Sequence, residues 1–279
     1  MVGLIDQYGM PLKRDELFEE EAGPRMATVR NIHHSYSSAG LEPQQWAQHM
    51  RQADEGDPLA YLEIAEQIEE KDPHYVGVLL QRKRAVTGLE ITVESANDDD
   101  EQAKAHAQLI RDWLDRDELT SDLEDIMDAV GKGYSVCEII WDKKTYLPAR
   151  LEWRDPRWFA FDRVDGRTLK LRAEGGQLKE LSRHKYIVHQ VRSKSGLPVR
   201  GGVVRPVSWY WLYKNFSVRD WVVFAETYGQ PIRLGKYGPG STAADRRVLM
   251  RAVAGLGSDA GATIPDSMSI EFIKDANPT

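Results

Sequence analysis

The chain has 279 residues, 41% of them hydrophobic and 29% charged, enough for one large folded domain or two smaller ones. Its single cysteine, Cys137, excludes an internal disulfide framework and a cysteine-based zinc site. No run is long enough to span a membrane, and the start, MVGLIDQYGMPLKRDELFEEE, lacks a basic region followed by an apolar block. A soluble intracellular protein is therefore expected.

The net charge of −7 conceals a separation of sign. Residues 1–141 hold 13 Lys/Arg against 30 Asp/Glu, residues 142–236 hold 20 against 9, and residues 237–279 hold 4 against 5. Such asymmetry suits an acidic and a basic part with different neighbours: a head-to-tail contact between copies, or a basic surface near nucleic acid. Two solvated faces with no partner are the plainer reading.

Residues 1–56 read as an N-terminal arm. Asp6–Gly9 and Met10-Pro11 have turn chemistry, and Glu19–Glu21 reads as a solvated charge run. Pro43 opens a short amphipathic helix with Trp46, Met50 and Ala53 at helical spacing, a segment either disordered or docked on something. Residues 57–130 form a helical part. Asp57-Pro58 caps one helix, and Tyr75–Val86 forms a second, closed by Gly88. Leu89–Val93 alternates and predicts a short strand. Asn97–Glu101 lacks the glycine and late glutamate of a calcium loop, so it reads as a cap before a helix over Gln102–Arg116. The core stripe of that helix is expected at Ala105, Leu109, Ile110, Trp113 and Leu114. Ser121–Glu124 resembles a capping box for a helix to Val130, ended by Gly131.

Residues 131–203 form a strand-rich part. Tyr134–Trp141 alternates as a strand, with Cys137 a small core residue and Glu138 in need of an arginine partner. Strands are expected at Leu147–Trp153, Trp158–Phe161, Leu169–Leu171 and Lys185–His189, with turns at Asp155-Pro156, Asp165-Gly166 and Gly175-Gly176. His184 and His189 have neither metal spacing nor carboxylate neighbours and read as structural. Arg192–Val203 is a Gly/Pro/basic loop without the pattern of a phosphate loop.

Residues 204–237 hold a long helix and a following strand. Pro206 suits a first helical position. Trp209, Leu212, Tyr213, Phe216, Trp221, Phe224, Ala225 and Tyr228 recur at helical spacing, and Gly229 and Pro231 suit its end. Trp211 and Val222-Val223 widen the apolar stripe beyond one core face. The helix is thus either a central core helix or one that also packs on a neighbouring subunit. Residues 238–279 begin an α/β unit: a helix over Ala243–Ala254 with Val248, Leu249 and Ala252 inward, and strands at Ala262–Ile264 and Ser269–Ile273. The unit stops unfinished, as in a C-terminally truncated chain. The fold class is α+β.

Gly131–Trp141, with Leu151 and Pro156–Phe161, resembles the Mu-like phage and prophage portal proteins. So do Lys185–His189, Gly196-x-Pro198, Arg205, Lys214, Arg219-Asp-Trp221, Glu226-x-Tyr-Gly-x-Pro231 and Gly235-Lys-Tyr237, in this order. The resemblance implies a portal-like body and a homo-oligomeric ring, usually of twelve subunits, at one capsid vertex of a virion assembled in the host cytoplasm. Double-stranded DNA would pass through it, driven by a terminase, and head–tail connector proteins would seat on it. It implies no enzyme activity, cofactor, metal or membrane contact. Subunit-contact or DNA-channel candidates on this reading are Arg205, Lys214, Arg219, Trp221, Glu226, Arg233 and Lys236. Two other readings stay open: a metal-dependent DNA-processing enzyme using Glu138, Glu152 or Asp155, and a nucleic-acid-binding module using residues 142–236.

Overall fold

The computed structural model describes residues 17–25, 30, 40–228, 232–255 and 268–273. It divides into two compact units, residues 1–212 and 213–279, and the division falls inside the long helix. The expected turns at residues 6–11, the helix end at Gly229 and Pro231, and the strand at Ala262–Ile264 lie outside the described residues.

In the first unit the helices are α1 (Pro43–Asp54), α2 (Leu59–Lys71), α3 (Pro73–Thr87), α4 (Glu101–Leu114), α5 (Leu119–Ile126) and the single turn α6 (Ala129–Lys132). α1 buries Trp46, Met50 and Ala53, the three residues its periodicity marks, so this segment is docked. α2 is covered on several sides and buries Tyr61, Leu62, Ile64, Ala65 and Ile68. Asp72 caps α3 by accepting hydrogen bonds from the N–H groups of His74 and Tyr75, and Pro73 takes the first helical position.

Strands β1 (Tyr134–Trp141), β2 (Pro148–Arg154) and β6 (Tyr186–Gln190) form an antiparallel sheet in the order β2-β1-β6. β3 (Phe159–Phe161), β4 (Leu169–Arg172) and β5 (Leu178–Glu180) form a second, in the order β3-β4-β5. The turns at Asp165-Gly166 and Gly175-Gly176 join its strands as the sequence predicts. Gly133, at φ +100°, ends α6 in the left-handed region and starts β1.

Several expectations are corrected. Leu89–Val93 forms no strand among the described residues, and Leu89 lies at a bend. Alternation describes a chain direction, and a strand also needs an edge to bond. α4 buries Ala107, while Ala105, Leu109 and Ile110 are exposed, because little of the described chain packs on that side. Ser121–Glu124 is no capping box: α5 starts at Leu119 behind Glu118. Gly131 lies within α6 and Gly133 is the terminator. Of Glu19–Glu21, Glu19 and Glu20 are exposed as expected, while Glu21 is partly buried and its segment is bonded to the first sheet.

That bonding is built around Glu138, which is 0% exposed. The N–H groups of Glu21 and Ala22 donate to its Oε1 (2.5 Å) and Oε2 (3.1 Å). Arg154 Nε donates to Oε2 at 2.8 Å, and the buried ammonium of Lys185 lies 3.5 Å from Oε1. Lys185 also donates to the carbonyls of Leu17 and Glu19. The expected arginine partner is therefore present, and main-chain donors complete the set. Glu21 itself is partly buried, which favours its neutral form. Hydrogen bonds from Lys179 and Tyr186 outweigh that and hold its carboxyl below the ordinary range.

A second buried charge cluster centres on Lys132, with Glu66 at 2.6 Å, Asp128 at 2.7 Å and Glu69 at 3.9 Å. Burial pushes the Glu69 carboxyl up to about 7, against the pull of Lys132. Burial likewise pushes the Cys137 thiol up to about 12, as befits a packed cysteine rather than a nucleophile.

The second unit holds the far part of the long helix α7 (Val204–Tyr228), then β7 (Ile232–Tyr237), α8 (Ala243–Gly255) and β8 (Met268–Ile273). β7 and β8 pair antiparallel from Ile232↔Ile273 to Tyr237↔Met268. α8 packs on β7 at Gly235, where a Cβ would lie 2.9 Å from Val253 and 3.0 Å from Leu249. Leu249 points inward as expected, whereas Val248 is exposed.

Candidate functional site

The long helix begins where main chains meet. Gly201 and Gly202 lead into α7, and a Cβ on Gly202 would collide with the carbonyl of Gly131, one on Gly201 with the carbonyl of Val191. Val203 N–H donates to the carbonyl of Val130 (3.1 Å), and Val191 N–H to that of Gly133 (3.1 Å). Only glycine lets three segments approach this closely.

The first turns of α7 are then fastened by side chains. Arg205 donates from Nη2 to the carbonyl of Met50 (3.2 Å), pairs with Asp54 (2.8 Å), and stands over the ring of Tyr61 at 5.9 Å. Trp46 Nε1 donates to Ser208 Oγ at 3.1 Å. Val204, Ser208, Trp211 and Leu212 are buried. Arg205 thus binds α7 to α1 within one chain.

From Tyr213 onward the helix is open. Val218, Trp221, Val222, Val223 and Phe224 are all at least half exposed, Trp221 at 69%. Lys214, Arg219 and Glu226 share this part and are exposed. Arg219 lies 5.1 Å over the ring of Phe216 and 3.3 Å from Asp220, a screened surface pair. Lys236 is exposed on β7, and the side chain of Arg233 lies outside what is described. The structure therefore gathers Lys214, Arg219, Trp221 and Glu226 on one helical segment and sets Arg205 apart from them.

The carboxylates of the enzymatic reading each hold a cation. Glu138 and Glu152 face each other across β1 and β2, but Glu138 is bound by Arg154 and Lys185, and Glu152 pairs with Arg150 at 2.9 Å. Asp155 is buried and held by Arg157, whose Nη2 approaches to 2.7 Å. The Glu138 and Asp155 pairs are buried and the Glu152 pair is at the surface, and in each the charge is neutralised locally. His189 is half-buried and burial lowers its pKa, while the carbonyl of His184 accepts from Trp141 Nε1 at 2.9 Å. Among the described residues no group of His, Cys, Asp or Glu could hold a metal, and no helix is long and apolar enough to cross a membrane.

Two surfaces escaped the sequence reading. Val164, 97% exposed, sits at the tip of the β3–β4 hairpin between Arg163 and Arg167. The other is the open side of α4 and the run before it. Its apolar residues were legible as a stripe, but nothing in the spacing tells a core stripe from a bare one.

The described residues thus form an α+β fold with a long helix that is fastened at its root and exposed further out. The profile of the family described as "Portal protein of Mu bacteriophage" matches residues 62–279. The chain belongs to this Mu-type portal protein family. It is 32% identical to Mu-like prophage FluMu protein gp29 of Haemophilus influenzae over 98% of its length, and 34% identical to the portal protein of Escherichia phage Mu over 96%. It spans 54% and 53% of those two relatives, about half of each. A chain from the neck of an empty GTA particle superposes at TM-score 0.46 and 12% identity, covering 87% of this chain and 67% of that one.

Proposed function

We propose that this chain is the structural subunit of a phage portal, or the corresponding part of one. Copies assemble head-to-tail into a ring, on the order of twelve, at one capsid vertex, and double-stranded DNA passes through the ring during packaging and ejection. Terminase and head–tail connector proteins dock on it, and the ring performs no bond-making chemistry of its own. The observation that carries this reading is the family match over residues 62–279. The exposed half of α7 supports it. Apolar side chains of this size on one helix suit burial against another chain, and a contact that repeats by rotation closes a ring. Lys214, Arg219, Trp221, Glu226, Arg233 and Lys236 are the residues assigned to subunit contact or to the channel wall. The net negative charge suits a passage that lets a polyanion slide, because many phosphate contacts would hold it.

The test is mass by light scattering, with electron microscopy, on a chain of the relatives' full length. A closed ring of about a dozen copies with an open axis supports the reading. A full-length protein that stays monomeric at high concentration sinks it.

A further inference from the structure

We propose that the β3–β4 hairpin tip and the neighbouring basic loop of one copy seat on the acidic, apolar surface formed by α4 and the run of residues 88–100 before it in the next copy. This rests on the portal reading and names the surfaces that would join its subunits.

The first surface is a basic projection. Val164 is almost fully exposed at the tip, flanked by Arg163 and Arg167. The loop of residues 192–198 lies beside it, because Leu197 touches the position of Gly166. Arg192 and Lys194 on that loop are exposed, and a cavity of about 280 Å³ opens between Arg167 and the loop. Among the described residues none of these four cations has an ion-pair partner. The tip's own carboxylate is spent inside its turn: Asp165 accepts from Arg167 N–H, Thr168 N–H and Thr168 Oγ1.

The second surface is its opposite in charge. Residues 88–118 carry ten Asp/Glu against three Lys/Arg. Leu89 and Ile91 of the run before α4, and Leu109 and Ile110 of α4, are exposed there, Leu89 at 67%. Arg111 fastens α4 to the run by donating from Nε (3.0 Å) and Nη2 (2.6 Å) to the carbonyl of Val93. Glu90, Glu94, Asp112 and Asp115 stand exposed around these apolar groups.

Several observations select a second copy as occupant. The cations and the carboxylates answer one another in sign, and both surfaces carry exposed apolar side chains, which a purely electrostatic partner would leave in water. DNA phosphates match the cations but would leave Val164 and Leu197 unused. The two surfaces occupy different parts of one chain, so the contact is heterologous and can propagate around a ring.

Charge exchange tests the pairing. One variant is Arg192→Glu with Lys194→Glu, the other Glu90→Lys with Glu94→Lys; all four side chains are exposed, so both variants should fold. Each alone sets like charges against each other, and self-association measured by sedimentation velocity should weaken roughly tenfold or more. Mixed one to one, each variant offers the charge the other needs, and association should return to near the wild-type strength. Loss in both variants without recovery on mixing overturns the pairing, as does unchanged association in either. If the tip variant loses only retention of duplex DNA while its mass is unchanged, the tip is a DNA contact and the pairing fails. A wild-type chain that is monomeric at every concentration also overturns it, since both surfaces are present. The portal reading would then still stand on the full-length ring, whose closure by other surfaces is a separate result.

Discussion

Over its first nine residues α7 buries Val204, Ser208, Trp211 and Leu212, and over residues 213–226 the same helix leaves Trp221, Val222, Val223 and Phe224 in solvent. Side-chain chemistry does not explain the contrast, for both parts are rich in large apolar groups. What differs is the cover. The first part meets α1 and α2, with Trp46 stacked on Tyr61 and bonded to Ser208. The second has no such neighbours in the described chain. A helix can thus be half covered and half exposed without any break in its pattern, and its two halves should respond differently to the same kind of change.

The largest effect is expected at the covered end. Trp46→Ala removes a side chain that is 1% exposed and should cost about 3–5 kcal/mol in chemical denaturation of the first unit. Arg205→Ala deletes the bonds to Met50 and Asp54 and should cost about 1.5–3 kcal/mol by the same measurement. In the second unit, Gly235→Ala places a methyl against Leu249 and Val253 and should cost about 1–2 kcal/mol through overpacking, read as faster hydrogen exchange in β7 and α8. A smaller effect concerns pH. Glu69 rises from 4.5 to about 7 on folding, so the folded chain holds its proton more tightly than the unfolded one. The stability this adds is present below pH 4.5 and is lost as pH rises through about 7. Glu69→Gln should flatten the fall in melting temperature over that window, leaving the second unit's behaviour unchanged. The smallest stability change belongs to the open end: Trp221→Ala should alter the stability of the single chain by less than about 0.5 kcal/mol yet weaken self-association. Equal losses at Trp46 and Trp221 would erase the distinction between the two halves.

Much of this was legible in the residues. Trp46, Met50 and Ala53 mark a docked face, the hairpin turn at Asp165-Gly166 is correct, and the need of Glu138 for a cation is met by Arg154. The misses share a cause. Leu89–Val93 alternates like a strand, and Leu109 and Ile110 sit at core spacing, yet pattern reports which side chains share a face and not what lies against it. The resemblance makes Arg205 a candidate for subunit contact or the channel wall; its bonds within the chain, to Asp54 and the carbonyl of Met50 some 150 positions away, leave no trace in the residues around it. The main-chain donors of Glu21 and Ala22 to Glu138 leave no compositional trace at all.

The glycines at the root of α7 have a consequence for how such a chain can drift. Where Gly133, Gly201 and Gly202 pack on the main chain of Gly131, Val191 and Pro198, atoms of the polypeptide backbone touch each other with no side chain between them. A joint made of side chains can be retuned by exchanging one residue for a slightly larger or smaller one. A joint made of backbone has no such dial: a side chain added at Gly201 or Gly202 would run into main-chain atoms that have nowhere to turn. The direction in which the helix leaves its root is therefore held outside the reach of gradual change, while the surfaces further along it stay free to vary with whatever they meet.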